Sequence, residues 1–396
     1  MSDPSNSTGD VTDSVTEVVT VGWWGRIKES LTGALLGLAA IAGGIALMVW
    51  NEGRAIEAIT ALNAGQRAVV SVPADTVDRG REGALVHVIG AATAQGATRD
   101  RTFAVELPDT LRLRRVVEMY QWEENESTRA ERTVGGSETR TTTYEYAKVW
   151  SEKAIDSNAF KVKRGHVNPA MPYRSAITEA TGAKLGAFGL DGALLDRLSN
   201  WREIEVTPAA GGPAGYVTAT GGLYRGADPS QPAIGDVRVR FEAIGTGTFS
   251  AVGRQVGQTL APYSGPDGYV IALMTPGTRD VAAMFNQARS DENLITWVLR
   301  LVGLILECLG FFLVMKPLAM LVAVIPLLED IVDFGIGFVG MLLGVAVTAI
   351  TIALAWLAYR PLTAVGILAF GAAMTIGLGW WRRRSRAAAG QPAPAR

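Results

Sequence analysis

The stretch Leu31–Trp50, LTGALLGLAAIAGGIALMVW, contains no charged residue. It supplies the ~20 consecutive apolar residues that a helix needs to cross a bilayer. Three further stretches meet the same criterion toward the other end of the chain: Leu294–Met315, Ile336–Ala358 and Leu362–Trp381. A buried core helix can imitate one such run; four of them, each with polar flanks, read as membrane spans. Between the first and the second lies Asn51–Asn293, a block of ordinary soluble composition. The layout predicts an integral membrane protein with four transmembrane α-helices, one N-terminal and three C-terminal, around a large extramembrane domain.

Composition agrees with this layout. The chain is 48% hydrophobic, with a mean hydropathy of +0.19 despite its long polar block. A net charge of −1 gives no global attraction to nucleic acid, which is not expected as a partner. The single cysteine, Cys308, falls inside the second apolar stretch. The polar block therefore has no disulfide, and its two histidines, His87 and His166, cannot form a Cys/His zinc site. No metal and no cofactor is expected.

Charge distribution sets the expected topology. Asp3, Asp10, Asp13 and Glu17 make the start of the chain acidic, and residues 1–30 read as a disordered cytoplasmic tail. Arg26 and Lys28 precede the first span, a weak vote for a cytoplasmic N-terminus. Trp380 and Trp381 followed by Arg382, Arg383, Arg384 and Arg386 place the basic tail 382–396 in the cytoplasm. Four spans with both termini inside put the domain 51–293 outside, in the periplasm or a lumen. Leu318–Leu328, bracketed by Pro317 and Pro326, is too short to cross. It reads as an interfacial or re-entrant helix within a cytoplasmic segment 316–335. Glu329, Asp330 and Asp333 after it read as a solvated acidic face rather than a cation or partner site.

The domain's own signals are mostly β. Ala84–Gly90, Leu111–Trp122, Thr141–Trp150, Asp236–Ala243, Gly247–Arg254, Thr259–Tyr263 and Tyr269–Met274 have strand composition, separated by Gly or Pro. Glu123–Arg140 reads as the mobile tip of a long hairpin. Ala176–Leu198 has helical spacing interrupted by glycines. Asn51–Leu62 continues the first span as a helix, and Arg279–Asn293 leads helically into the second. The domain is expected to be α+β, dominated by antiparallel strands.

Candidate functional residues are few. Arg300 and Glu307 lie within the second span, where ionisable groups are costly and mark function by default. Seven residues apart, they stand about 10 Å apart along a helix and cannot pair with each other. Arg300 is read as snorkelling to the outer interface, and Glu307 as a protonated, helix-packing acid in preference to a transport site. Gly33 with Gly37, and Gly340 with Gly344, give the spacing that lets helices approach closely, within the bundle or between protomers. His87, in an apolar strand, reads as a satisfied structural histidine, and His166, in a polar loop, as exposed. No GxSxG, HExxH or phosphate-loop pattern is present, and no catalytic residue is assigned.

NEGRAIEAITALNAG from Asn51, LVHVIG (Leu85–Gly90), LRRVVEMYQW (Leu113–Trp122), GHVNP (Gly165–Pro169), GDVRVRF (Gly235–Phe241), TWVLR (Thr296–Arg300) and WLAYRP (Trp356–Pro361) resemble, in order, the transmembrane protein 43 (LUMA) family. The resemblance runs from about residue 33 to 381 and preserves the one-plus-three layout. It implies a tetraspan protein with a lumenal domain and a membrane-organising or scaffolding role, and no enzymatic activity. In animals the family is associated with the endoplasmic reticulum and inner nuclear membrane. The Ala/Gly/Arg-rich composition suggests a bacterial member, for which the cell's inner membrane takes their place, with the domain in the periplasm. Glu307 departs from the family pattern, where an apolar residue is expected. The leading expectation is a non-enzymatic scaffold whose partners are the lipid bilayer and unidentified membrane or periplasmic proteins, with a possible homo-oligomer. The alternatives are a transporter or channel subunit using Glu307 and Arg300, and an outer-face envelope enzyme.

Overall fold

The computed structural model describes residues 13–219, 221–265 and 268–359. The fourth apolar stretch, Leu362–Trp381, and the basic tail 382–396 lie outside the described residues. The described chain divides into a strand-rich unit and a helical unit. The first takes the segment through Val21, Thr60–Arg132 and Ser137–Ser290. The second takes Gly22–Ile59, Thr133–Gly136 and the chain from Asp291.

The strand-rich unit holds two large sheets and two of two strands each. In the first, the spatial order is 13–21, 138–151, 110–132, 237–245, 222–225 and 217–219, with 202–204 and 176–179 attached. Its spine is the long hairpin Thr110–Arg132 and Glu138–Ser151, in antiparallel register from Met119 opposite Ser151 to Arg132 opposite Glu138. Alternation explains one buried face. Leu113, Val117 and Met119 pack with Val237, Val239 and Phe241 around Phe103.

The second sheet closes on itself. Leu85–Thr93 pairs with Lys184–Leu185, which pairs with Phe188–Leu190. Phe188–Leu190 runs parallel to Thr259–Ala261, which turns back on Gly247–Val256. Gly247–Val256 returns to Leu85–Thr93 with Ala251 opposite Val88. Numbered by chain position the circuit is 1-2-3-5-4-1, with strands 3 and 5 parallel: the strand order of an OB-fold barrel. Val86, Val88, Phe188, Phe249 and Leu260 contribute to its core. At the turn between its second and third strands, Gly186 has φ +60°, and a Cβ there would overlap the carbonyl of Ala74.

Three expectations change here. Asp13–Val21 is not a disordered tail but a strand, paired residue for residue with Tyr146–Glu138. Its run of Val and Thr suits a pleated edge. Ala176–Leu198 is not a helix. It forms short strands and only one helical turn, α2 (Gly192–Leu195), because Gly182 and Gly186 take left-handed conformations. The long hairpin is present, yet its tip is held: Gly135 N–H donates to Val324 O at 3.0 Å.

The long helices are α1 (Trp23–Ala68), α3 (Val281–Val322) and α4 (Pro326–Tyr359). All three are long and apolar enough to cross a membrane. As expected, α1 continues past its apolar run and α3 begins well before its own. In the strand-rich unit, Leu62 of α1 and Met284 and Phe285 of α3 pack with Leu85, Val252 and Ile271 on the outside of the barrel. Leu318–Leu328, expected as a separate helix, is divided instead. α3 continues through Pro317 to Val322, and α4 starts at Pro326, where proline suits a first helical turn.

Candidate functional site

Within the helical unit α1 and α3 lie antiparallel at close range, and glycines make this possible. A Cβ at Gly37 would sit 2.6 Å from Gly310 O, and one at Gly310 would sit 2.8 Å from Gly37 O. Gly33 faces Leu313 more loosely. Gly340 and Gly344 bring α4 against Phe312 and Cys308 of α3. These glycines thus make close contacts between helices of one chain.

Arg300 is paired within the chain. Its Nε and Nη2 donate to Glu52 Oε1 and Oε2 at 2.6 and 2.8 Å, a two-pronged pair with the carboxylate 2% exposed. Trp356 Nε1 of α4 donates to the same Oε2 at 2.9 Å. Three helices are thereby tied at one depth. One turn away, Asn51 Nδ2 donates to Thr296 O, and Arg54 pairs with Glu292. Sequence reasoning missed Glu52 because its partner is 248 residues away. The only available signal was that an intramembrane arginine requires an acid somewhere.

Glu307 is fully buried. Thr348 Oγ1 donates to its Oε2 at 2.5 Å, while Oε1 has no hydrogen-bond partner. Gly44 clears the space for it: a Cβ there would lie 2.8 Å from Glu307 Cγ. Arg300 and Glu307 therefore belong to separate polar contacts, as their spacing required. The acidic run after Pro326 is not a uniformly solvated face. Glu329 is fully buried and pairs with Arg26, whose Nη1 also donates to Gly136 O at 3.1 Å. Asp333 accepts from Lys316 Nζ at 2.6 and 2.7 Å.

In the strand-rich unit His87 is buried, as expected. Its Nε2 lies 2.9 Å from Arg279 O and must donate, so Nδ1 accepts from the Ser71 hydroxyl at 3.1 Å. Burial holds its pKa below the ordinary imidazole range, against the opposing pull of the Arg279 carbonyl and Asp280. His166 is buried rather than exposed. Its ring stacks on Tyr146 at 3.8 Å and meets Trp122 edge-on at 4.7 Å. Among the described residues no group of His, Cys, Asp and Glu is placed to hold a metal ion.

The outward face of the first sheet has the most chemical character in this unit. Arg238 and Arg240 share the carboxylate of Glu118, Arg114 pairs with Glu242, and Arg238 lies over Trp150 at 4.5 Å. Burial pushes the Glu118 carboxyl up, but the bonds and charges of Arg238 and Arg240 outweigh it and hold the group below the usual range. Trp150, Tyr224, Ser230, Arg238 and Arg240 line a shallow cleft of about 410 Å³.

Comparison with known proteins gives this arrangement its context. The family model described as "Transmembrane protein 43" matches residues 119–361. Human transmembrane protein 43 is 31% identical over 356 residues, covering 87% of this chain and 88% of the human one. The mouse protein is likewise 31% identical, over 88% of this chain and 90% of its own. The Drosophila melanogaster homologue is 30% identical over 88% of this chain and 94% of its own. No solved structure matches. The apolar helices and the strand-rich domain are thus those of a multi-pass membrane protein, and the chain belongs to the transmembrane protein 43 family.

Proposed function

We propose that this protein is a non-enzymatic membrane scaffold that organises protein or lipid assemblies through its strand-rich domain. One observation carries the reading. Three ion pairs engage side chains of the helical unit within the chain: Arg300 with Glu52, Arg26 with Glu329, Lys316 with Asp333. Such pairs fix helices in place. The Arg–Trp face of the first sheet supplies a partner surface, with Arg and Trp, the residue types enriched at binding hot spots. Affinity purification from native membrane, with a parallel Arg240→Ala/Trp150→Ala variant, tests this. Proteins or lipids recovered with the parent and lost with the variant support the scaffold; identical recoveries remove that face from the reading.

The transporter reading keeps one observation in its favour, the unpartnered Oε1 of Glu307. It requires a flux through reconstituted vesicles that depends on that carboxylate.

We place the protein in the cell membrane with the C-terminal arginines in the cytoplasm and the strand-rich domain in the periplasm. The vote of Arg26 for a cytoplasmic N-terminus loses weight, since its charge is neutralised by Glu329. The strand Asp13–Val21 precedes α1 and the domain follows it, so a crossing by Leu31–Trp50 would separate them, whereas the pairing of that strand with Glu138–Tyr146 keeps them on one face. Cysteines at Val18 and Val167, both exposed, decide between the two: reaction of both with an impermeant thiol reagent from the same face would show that α1 does not cross. Labelling from opposite faces would show that the N-terminal strand leaves its partner in the native membrane.

A further inference from the structure

The elbow between α3 and α4 turns the chain while presenting apolar side chains outward. Leu321, Val324, Ile325, Leu327, Ile331 and Phe334 are all exposed, Leu327 at 69% and Phe334 at 80%. A turn facing water usually carries polar side chains and leaves its backbone groups to solvent. This elbow does the reverse. Glu329 is buried against Arg26, and Lys316 meets Asp333. Three carbonyls at and just past the end of α3 have partners as well. Met320 O accepts from Trp23 Nε1 at 2.9 Å, Val322 O from Ile325 N at 3.2 Å, and Val324 O from Gly135 N at 3.0 Å.

Charges paired inward, backbone satisfied and apolar groups outward are the conditions that hydrocarbon imposes. Leu327, Ile331, Phe334 and Phe338 follow each other at intervals of four, three and four residues. They form one helix stripe that runs without a break from the elbow into the apolar run of α4. The surface of the elbow is therefore continuous with the surface by which α4 faces lipid. Asp330 is exposed beside this stripe.

We infer that the elbow is lodged in the membrane, with Leu327, Ile331 and Phe334 among acyl chains and Asp330 at headgroup level, and is not an aqueous loop. The inference rests on the membrane insertion of the family and is independent of the scaffold reading. Single cysteines at Leu327, Phe334 and Val167 in a Cys308→Ala background carry a nitroxide label. The full-length protein is reconstituted in phosphatidylethanolamine/phosphatidylglycerol vesicles. Relaxation by oxygen, which partitions into lipid, is compared with relaxation by a water-soluble nickel chelate. Labels at Leu327 and Phe334 should respond to oxygen and lose most of the nickel response seen at Val167. Nickel access equal to that of Val167 overturns the inference, and so does silence to both reagents, which would mean that protein covers the elbow.

Discussion

On the first sheet, Arg238 and Arg240 share Glu118, both arginine side chains being about two-fifths exposed. In the helical unit, Arg26 meets Glu329 with side-chain exposures of 3% and 0%. The chemistry is the same and the surroundings differ. Water and salt screen the sheet pairs, so each is worth little by itself. The helical pair is shielded from both, and removal of one partner leaves the other's charge buried. The pairs on the outward face of the first sheet therefore tolerate change, and the Arg26–Glu329 pair does not.

The largest expected effect follows from that contrast. Glu329→Ala should destabilise the protein by about 3–5 kcal/mol, because Arg26 stays buried and loses this carboxylate. Glu118→Ala, at the half-exposed site, should cost only about 1 kcal/mol. Thermal unfolding in one detergent measures both. Equal losses would show that burial does not separate the two classes of pair. The double variant Arg26→Met/Glu329→Met should recover most of what Glu329→Ala loses, since it removes both charges together.

A second contrast lies within α1. Gly37→Ala places a methyl 2.6 Å from Gly310 O and should cost about 1–3 kcal/mol by forcing α1 and α3 apart. Gly43, six residues on, has nothing within 4 Å of its built Cβ. Gly43→Ala should be neutral or stabilise by up to about 1 kcal/mol, through helix propensity alone. A penalty at Gly43 as large as that at Gly37 would mean that a neighbour outside this bundle covers it.

In the strand-rich unit the buried His87 titrates with a predictable sign. Its folded pKa lies below the ordinary 6.5, so the unfolded chain takes up the proton first as pH falls. Its contribution is complete above pH 6.5 and is lost as pH drops from there through the lower folded value. His87→Gln should flatten the acid side of the stability profile relative to the parent. Parallel acid limbs for the two proteins would count against a neutral, buried His87.

What could be read in the sequence was local. Leu31–Trp50 and Leu294–Met315 are legible because a bilayer demands one continuous apolar run. The hairpin around Tyr144 and Tyr146 is legible because alternation marks a strand with one covered face. Pairings across long separations leave no such trace. Nothing near Val18 announces Thr141 as its partner, and nothing near Arg300 announces Glu52. The barrel was hidden for the same reason. Two of its strands, Lys184–Leu185 and Phe188–Leu190, are too short for any periodicity to register. His166 misled because its Gly/Asn/Pro setting is loop-like, while the aromatic rings that bury it come from the hairpin strands.

The smallest expected effect is at Glu307, and it decides between scaffold and transporter. Thr348 donates to one carboxyl oxygen, and the other has no partner. Glutamine keeps an acceptor for Thr348 in the same volume and removes only the ability to titrate. If Glu307 serves packing alone, Glu307→Gln should change stability by less than about 1 kcal/mol, in the range of ordinary hydrogen-bond adjustments. Partner recovery from native membrane should be unaltered. Glu307→Leu, by contrast, leaves the Thr348 hydroxyl without its acceptor and should cost more than the glutamine variant. A coupled transporter behaves differently, because its cycle needs a group that binds and releases a proton or cation. A proton or cation flux in vesicles holding the parent protein, abolished by Glu307→Gln at unchanged stability, would promote transport over the scaffold. We expect no flux that depends on Glu307, and the ranking Leu worse than Gln to appear in stability alone.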